Sequence, residues 1–190
     1  MGKPNVLLTA LDAFEPGSDE EVRAVERIRR LAAQGDPWTR SSPLHATGSA
    51  VVVHPETRRV LLRWHERMRA WLQVGGHADP GESDPYDVAL REAREETGLA
   101  DLAPWPDATR PALVQVAIVP VPPGKGEPAH EHADLRYVLA TAHPDAAAPE
   151  SDAARLAWLG VEEALSSVTE DNLRVCLLRI ADMLTRAGAG

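Results

Sequence analysis

Residues 75–99 read GGHADPGESDPYDVALREAREETGL, from Gly75 to Leu99. Asp84 is a residue type that caps a helix N-terminus, and Pro85 fits the first helical position, where a missing N–H costs nothing. Gly98 suits a left-handed stop. A helix from Pro85 to Thr97 follows, about three and a half turns long at 3.6 residues per turn. At 100° per residue, Tyr86, Ala89, Leu90, Ala93 and Thr97 share one side and are expected to face the core. Glu92, Glu95 and Glu96 fall on a neighbouring arc about 100° wide. Carboxylates this close repel each other, and Arg91 offsets part of the repulsion through Glu95, four residues on. Water or a cation must supply the rest. Read alone, three glutamates also describe a solvated acidic helix face. The loop before the helix narrows the choice: Gly75-Gly76 permits close backbone approach, and Gly81-Glu82 makes a second turn. Hard carboxylate oxygens in such a frame suit magnesium, which commonly bridges protein carboxylates to substrate phosphates.

The chain on either side reads as a mixed α/β layout. Upstream, Ser18-Asp19-Glu20-Glu21 is a capping-box pattern. Val22, Val25, Ile28 and Leu31 then recur at helical spacing, and Gly35-Asp36-Pro37 ends the helix. Residues 1–45 are thus expected to be an N-terminal helical extension, with the main domain and its C-terminal helix over 46–190. From Gly48 the pattern turns to strands: Ala50–Val53, a turn at His54–Thr57, Val60–Leu62, and Trp71–Val74 stopping at Gly75-Gly76. Downstream, Ala112–Val119 and Leu135–Ala140 read as strands flanking a polar loop, Pro122–Ala133. Ala142–Ala154 reads as a loop, Leu156–Leu159 as a last strand, and Leu173–Leu184 as a closing helix.

The 190 residues carry a formal charge of −9 and are 44% hydrophobic. A core is affordable in composition, and a general nucleic-acid or anionic-membrane surface is disfavoured. The apolar run Val6–Leu11 is too short to span a membrane. Cys176 is the only cysteine, which fits a reducing, cytoplasmic setting.

The Gly75–Leu99 segment resembles the Nudix box, the loop-helix signature of Nudix hydrolases, written G-x5-E-x7-R-E-U-x-E-E-x-G-U with U a bulky aliphatic. Gly76 matches the first glycine and Glu82 the first glutamate. Arg91-Glu92 and Glu95-Glu96 match the R-E and E-E pairs, and Gly98-Leu99 the end. The spacer Ser83–Leu90 holds eight residues where the pattern has seven, and Ala93 replaces the larger aliphatic. The longer spacer can be absorbed in the loop, and it leaves the role of Glu82 open.

The resemblance implies an α/β/α sandwich around a mixed sheet, and hydrolysis of the diphosphate link in a nucleotide-like small molecule. It implies magnesium, with manganese as a possible substitute, held by Glu92, Glu95 and Glu96 with the Gly76 carbonyl, and Arg91 orienting the glutamates. The metal would neutralise charge on the diphosphate and lower the pKa of the attacking water. Glu92, Arg91 and Glu95 are the expected catalytic set. The general base is a box glutamate or a later loop acid, Glu127 or Glu131. A homodimer is a further expectation from the family's habit.

Other residues are open between function and packing. His130, His132 and Asp134 alternate and would share one face of an extended segment, where they could touch metal or phosphate or form an exposed edge. His77 could line the site. Trp105 offers a base-stacking surface or a core residue, and Arg40, Arg63 and Arg136 are candidate phosphate contacts. Three rival readings compete with this one. A catalytically silent nucleotide- or protein-binding module would usually have lost box carboxylates. An isoprenyl-diphosphate isomerase would need an active-site cysteine, and Cys176 is expected to pack within a helix. An RNA-end pyrophosphohydrolase conflicts with the acidic balance.

Overall fold

The computed structural model describes residues 5–124, 126–151 and 153–188. In chain order the elements are α1 (Val6–Asp12), α2 (Asp19–Gln34), β1 (Leu44–His54), β2 (Arg59–His65), β3 (Ala70–Leu72) and β4 (Val74–His77). Then come α3 (Pro85–Thr97), β5 (Ala103–Pro104), β6 (Ala112–Val121), β7 (His130–Ala140), β8 (Leu156–Gly160), α4 (Val161–Ser167) and α5 (Asp171–Ala187).

β1 is the strand on which the sheet is built. One of its edges pairs in parallel with β7 from Leu44 to Val53. Its other edge is divided between two antiparallel strands, β4 along Thr47–Ala50 and β2 along Val52–His54. β3 and β8 add to β2, and β5 and β6 to β7, completing an eight-stranded mixed sheet. Side chains of successive strand residues point to opposite faces. Ala50 and Val52 accordingly enter a core with Leu7, Leu11 and Ile28 of the N-terminal helices and Ala89 and Ala93 of α3. Val51 and Val53 enter a second core with Leu173, Leu177, Ile180 and Leu184 of α5. Two helical layers cover the two faces of one sheet, as the α/β/α expectation required. α1 and α2 share the first core, where burying a side chain such as Ile28 contributes roughly 1.5–3 kcal/mol.

The structure corrects several details. The buried side of α2 is Glu21, Ala24, Val25 and Ile28, whereas Val22 is 43% exposed. Ser18 caps α2 as expected, accepting from the Glu21 N–H at 3.2 Å. The Glu21 carboxylate reaches past it to the Gly17 N–H and is held by Arg179 of α5 at 2.6 and 2.8 Å. The expected strand Trp71–Val74 is two strands broken at Gln73, and the second continues through Gly75-Gly76 to His77. β7 starts at His130, inside the stretch expected to be loop. α4 had no distinct signal in the sequence.

α3 matches its expected bounds. Asp84 accepts from the Tyr86 N–H at 2.9 Å, and Gly98 is left-handed at φ 67°. Its face is rotated from the expected one: Val88, Ala89, Ala93, Thr97 and also Glu96 are buried, while Tyr86 and Leu90 sit at the margin. The cause is how tightly α3 crosses β1. A Cβ on Gly48 would lie 2.6 Å from the Pro85 carbonyl oxygen and 2.9 Å from the Ala89 nitrogen. Overpacking against backbone costs roughly 1–3 kcal/mol. Gly48→Ala should lower unfolding stability by that amount in urea titration; an unchanged midpoint would show that α3 can retreat freely.

Candidate active site

The sequence places the glutamates on α3; the glycines of β4 decide where they go. β4 lies beneath α3, and a Cβ on Gly76 would fall 2.6 Å from Glu92 Cδ. Only bare backbone leaves the Glu92 carboxylate room there. One turn on, Glu96 accepts from the Gly75 N–H at 3.0 Å. Gly75 has φ 146°, and a Cβ on it would lie 2.5 Å from Ser49 Cα, so a side chain is excluded twice over.

Arg91 ties the cluster together. Its Nε donates to both Glu82 oxygens at 3.0 and 3.2 Å, and its Nη2 donates to Glu82 at 2.9 Å and to the His77 carbonyl at 2.8 Å. Its Nη1 donates to Glu92 and to Glu95, each at 3.0 Å. Glu82, whose role the longer spacer left open, thus anchors the guanidinium, helped by the Asp79 N–H at 2.8 Å. These bonds hold the Glu82 carboxyl below its ordinary range. Glu95 points outward, with 56% of its side chain exposed.

Burial raises the Glu92 carboxyl despite Arg91. Burial also raises Glu96, to about 7, against the pull of Arg63 and the Gly75 N–H. Arg63 Nε lies 3.3 Å from Glu96, and its Nη2 bonds Glu150. One buried and one half-buried carboxylate that the local arginines do not fully compensate, beside an exposed third, all offering hard oxygens, make a donor set that fits magnesium.

The cluster borders a cavity of about 290 Å³, near the lower end for small-ligand sites. Gly76, Glu96, Arg40, Glu127 and Gln73 are among its walls. Gln73 Oε1 is buried there without a hydrogen-bond partner. The two candidate loop acids separate. Glu127 faces the cavity, 3.5 Å from Arg67 and 3.8 Å from Arg40. Glu131 turns to Arg27 of α2, at 2.5 and 3.2 Å, which lowers its pKa.

The alternating trio also separates. His130 and His132 approach His45 and His77. Burial is the main cause that lowers His77 to about 3 and His132 to about 4, so both rings are neutral at pH 7. Asp134 is instead a buried acceptor for Thr47, Ser49 and Gln73 at 2.9, 2.5 and 3.2 Å and for Arg136 Nε at 2.8 Å. Arg136 is 1% exposed and also bonds Gln115 at 2.8 Å, so it is committed to the protein. Arg40 and Arg63 reach the cavity wall. Trp105 is a core residue of the α5 face and offers no stacking surface. Cys176 is fully buried, its thiol pushed up to about 11 by desolvation. His45 carried no local signal in the sequence, and its importance comes from strand pairing.

The glycine strand under a capped glutamate helix, at a polar cavity in an α/β/α sandwich, defines a known class. The NUDIX domain matches residues 44–177, and the chain belongs to the NUDIX family of hydrolases. No curated protein matches the sequence. Among solved structures, a NUDIX-family hydrolase from Clostridium perfringens is similar at 23% identity and TM-score 0.53, over 75% of this chain and 97% of that one. The C. elegans Ap4A hydrolase is similar at 18% identity and TM-score 0.57, over 74% and 98%. The E. coli dihydroneopterin triphosphate pyrophosphohydrolase is similar at 17% identity and TM-score 0.54, over 73% and 94%. At these identities the likeness is one of fold. Among the described residues no helix is long and apolar enough to cross a membrane.

Burial of Glu96 ties the protein's stability to pH. The folded carboxyl titrates near 7 and the unfolded one near 4.5, so the native state holds the extra proton between those values. Stability from this group is lost as pH rises through that window. Glu96→Gln stays neutral and should stabilise the metal-free protein at pH 8, relative to its effect at pH 5, by about 1–3 kcal/mol. Urea unfolding in chelator at both pH values checks this; a pH-independent difference would refute it.

Proposed function

We propose that the chain is a magnesium-dependent hydrolase that cleaves the phosphoric anhydride bond of a nucleoside diphosphate linked to another group, with manganese able to substitute. The observation that carries this reading is the grouping of three α3 carboxylates beside Gly75-Gly76: Glu92 and Glu95 share the Arg91 guanidinium, and Glu96 accepts from the Gly75 N–H at the cavity wall. Two relatives in fold are named for Ap4A and for dihydroneopterin triphosphate, which supports phosphoanhydride chemistry without choosing a substrate. The single buried thiol supports a reducing, cytoplasmic setting.

Glu92, Glu95 and Glu96 would hold the metal, with the Gly76 carbonyl beside them. When bound, the ion supplies charge neutralisation on the diphosphate and acidifies the attacking water. The protein's own part is mostly positioning. Arg91 fixes the spacing of the carboxylates, and Glu82 fixes Arg91. Arg40 offers the cavity a cationic side chain, 60% exposed, for a phosphate oxygen. Glu127 is the loop acid that faces the cavity, and it takes the attacking water's proton in this reading.

Purified protein with magnesium should cleave at least one member of a panel of nucleoside diphosphate derivatives and triphosphates. The Glu95→Gln, Glu96→Gln double variant should lose roughly 100-fold or more in kcat. Chromatography of the products reads both. Ligand binding without turnover, unaffected by those substitutions, would overturn the reading and identify a silent binding module.

Glu127→Gln should lower kcat by roughly 10²-fold, as removal of a proton acceptor does. Glu131→Gln should leave kcat within about twofold, because it breaks only an ion pair with Arg27. Equal effects from both in steady-state assays would exclude Glu127 as the base. Glu82→Gln should raise the magnesium concentration for half-maximal rate by roughly 10–100-fold, the usual effect of losing a group that orients ligands. An unchanged metal dependence would show that Arg91 holds its place without Glu82.

A further inference from the structure

The four histidines around the end of the cavity carry an arrangement that the carboxylate cluster does not use. They come from three strands. Parallel pairing of β1 with β7 sets His45 in register with His132. Antiparallel pairing of β1 with β4 sets His77 opposite Thr47, two residues further along the same face. One ring nitrogen of each of His45, His77 and His132 lies within 4.8 Å of the others. His77 Nε2 is 3.0 Å from His45 Nε2, and His130 Nε2 is 3.2 Å from His132 Nε2. Ligand nitrogens at 2.0–2.1 Å from a tetrahedral ion stand roughly 3.3 Å apart.

The tautomers are fixed from behind. His45 Nδ1–H donates to the Ser42 carbonyl at 2.9 Å, and His130 Nδ1–H to the Pro128 carbonyl at 2.9 Å. Each ring is thereby turned to present its Nε2 lone pair to the cluster. A second ring nitrogen bonded to a backbone carbonyl is the support that metal-ligating histidines usually have. Burial lowers the pKa of His45, His77 and His132, which favours the neutral form in which an imidazole binds metal.

We propose that His45, His77 and His132 form a second cation site, distinct from the glutamates of α3, that takes a borderline transition ion of the zinc class. Imidazole nitrogens suit such ions, whereas magnesium prefers the hard oxygens of the glutamates. Three protein ligands leave a position open, the arrangement of a site that also takes water or a substrate atom. His77 and His132 line the cavity that Glu96 also borders, so an ion there faces the same space as the proposed substrate. His130 stands at the rim of the site. The inference does not depend on the hydrolase reading, because its test measures metal binding alone.

The test is titration of the metal-free full chain with Zn²⁺ against a chromophoric chelator. Wild-type protein should bind one tight equivalent. His77→Gln and His132→Gln should each weaken it by roughly 100-fold or more, since even losing a supporting group costs 10–100-fold. The Glu92→Gln, Glu95→Gln double variant should keep the wild-type zinc affinity within about threefold. X-ray absorption of zinc-loaded wild-type protein should show imidazole nitrogens at roughly 2.0–2.1 Å, a readout that needs no variant to fold. Absence of saturable zinc binding, zinc binding lost with the glutamates and kept without the histidines, or an all-oxygen zinc shell would each overturn the proposal.

Discussion

The closeness of α3 to the backbone of β1 and β4 is the constraint on which the rest depends. A helix and a sheet normally meet through side chains. Here Gly48 and Gly76 remove them, and the space is taken by the Pro85 carbonyl, the Ala89 nitrogen and the Glu92 carboxylate. The same approach that lets Ala89 and Ala93 pack into the core sets Glu92 and Glu96 against peptide groups instead of solvent. Stability and chemistry therefore draw on one contact. Moving the helix outward would relieve the desolvation of the carboxylates and also open the core beneath Val88.

That contact has an electrostatic cost, and the surrounding residues divide it unevenly. Arg91 compensates Glu82, Glu92 and Glu95 through one guanidinium. Glu96 has only the Gly75 N–H and a 3.3 Å approach from Arg63, which also serves Glu150. Burial outweighs both and lifts the Glu96 carboxyl to about 7. A site in this condition favours whatever brings positive charge, a proton at low pH or a divalent cation at high pH. The buried Asp134–Arg136 pair shows the opposite solution. Thr47, Ser49, Gln73 and Gln115 complete its hydrogen bonds, so it needs no external ion and stiffens the floor of the cavity.

The parallel pairing of β1 and β7 is the second organising feature. It brings residues almost ninety positions apart into lateral register, His45 beside His132 and Thr47 beside Asp134. Because alternate residues share a face, one run of pairing sorts β1 and β7 into an apolar end under α5 and a polar end at the cavity. Val51, Val53 and Val138 belong to the first end, and Thr47, Ser49 and Asp134 to the second.

The local parts of this protein were determined by sequence alone. The cap at Asp84, the stop at Gly98, the bounds of α3 and the grouping of Glu92, Glu95 and Glu96 follow from interactions within one turn or two of helix. The capping of α2 by Ser18 follows in the same way. Whatever depends on a partner distant in the chain was decided by tertiary structure. α3 turned Glu96 inward because Gly48 and Gly76 allowed a crossing that helical periodicity could not anticipate. Glu131 went to Arg27 and Glu127 to the cavity, though both stand in one polar stretch, because α2 packs near the start of β7. His45 gained meaning only from strand register. Sequence spacing encodes neighbours along a helix or strand; lateral pairing and burial are set by the whole chain folding at once.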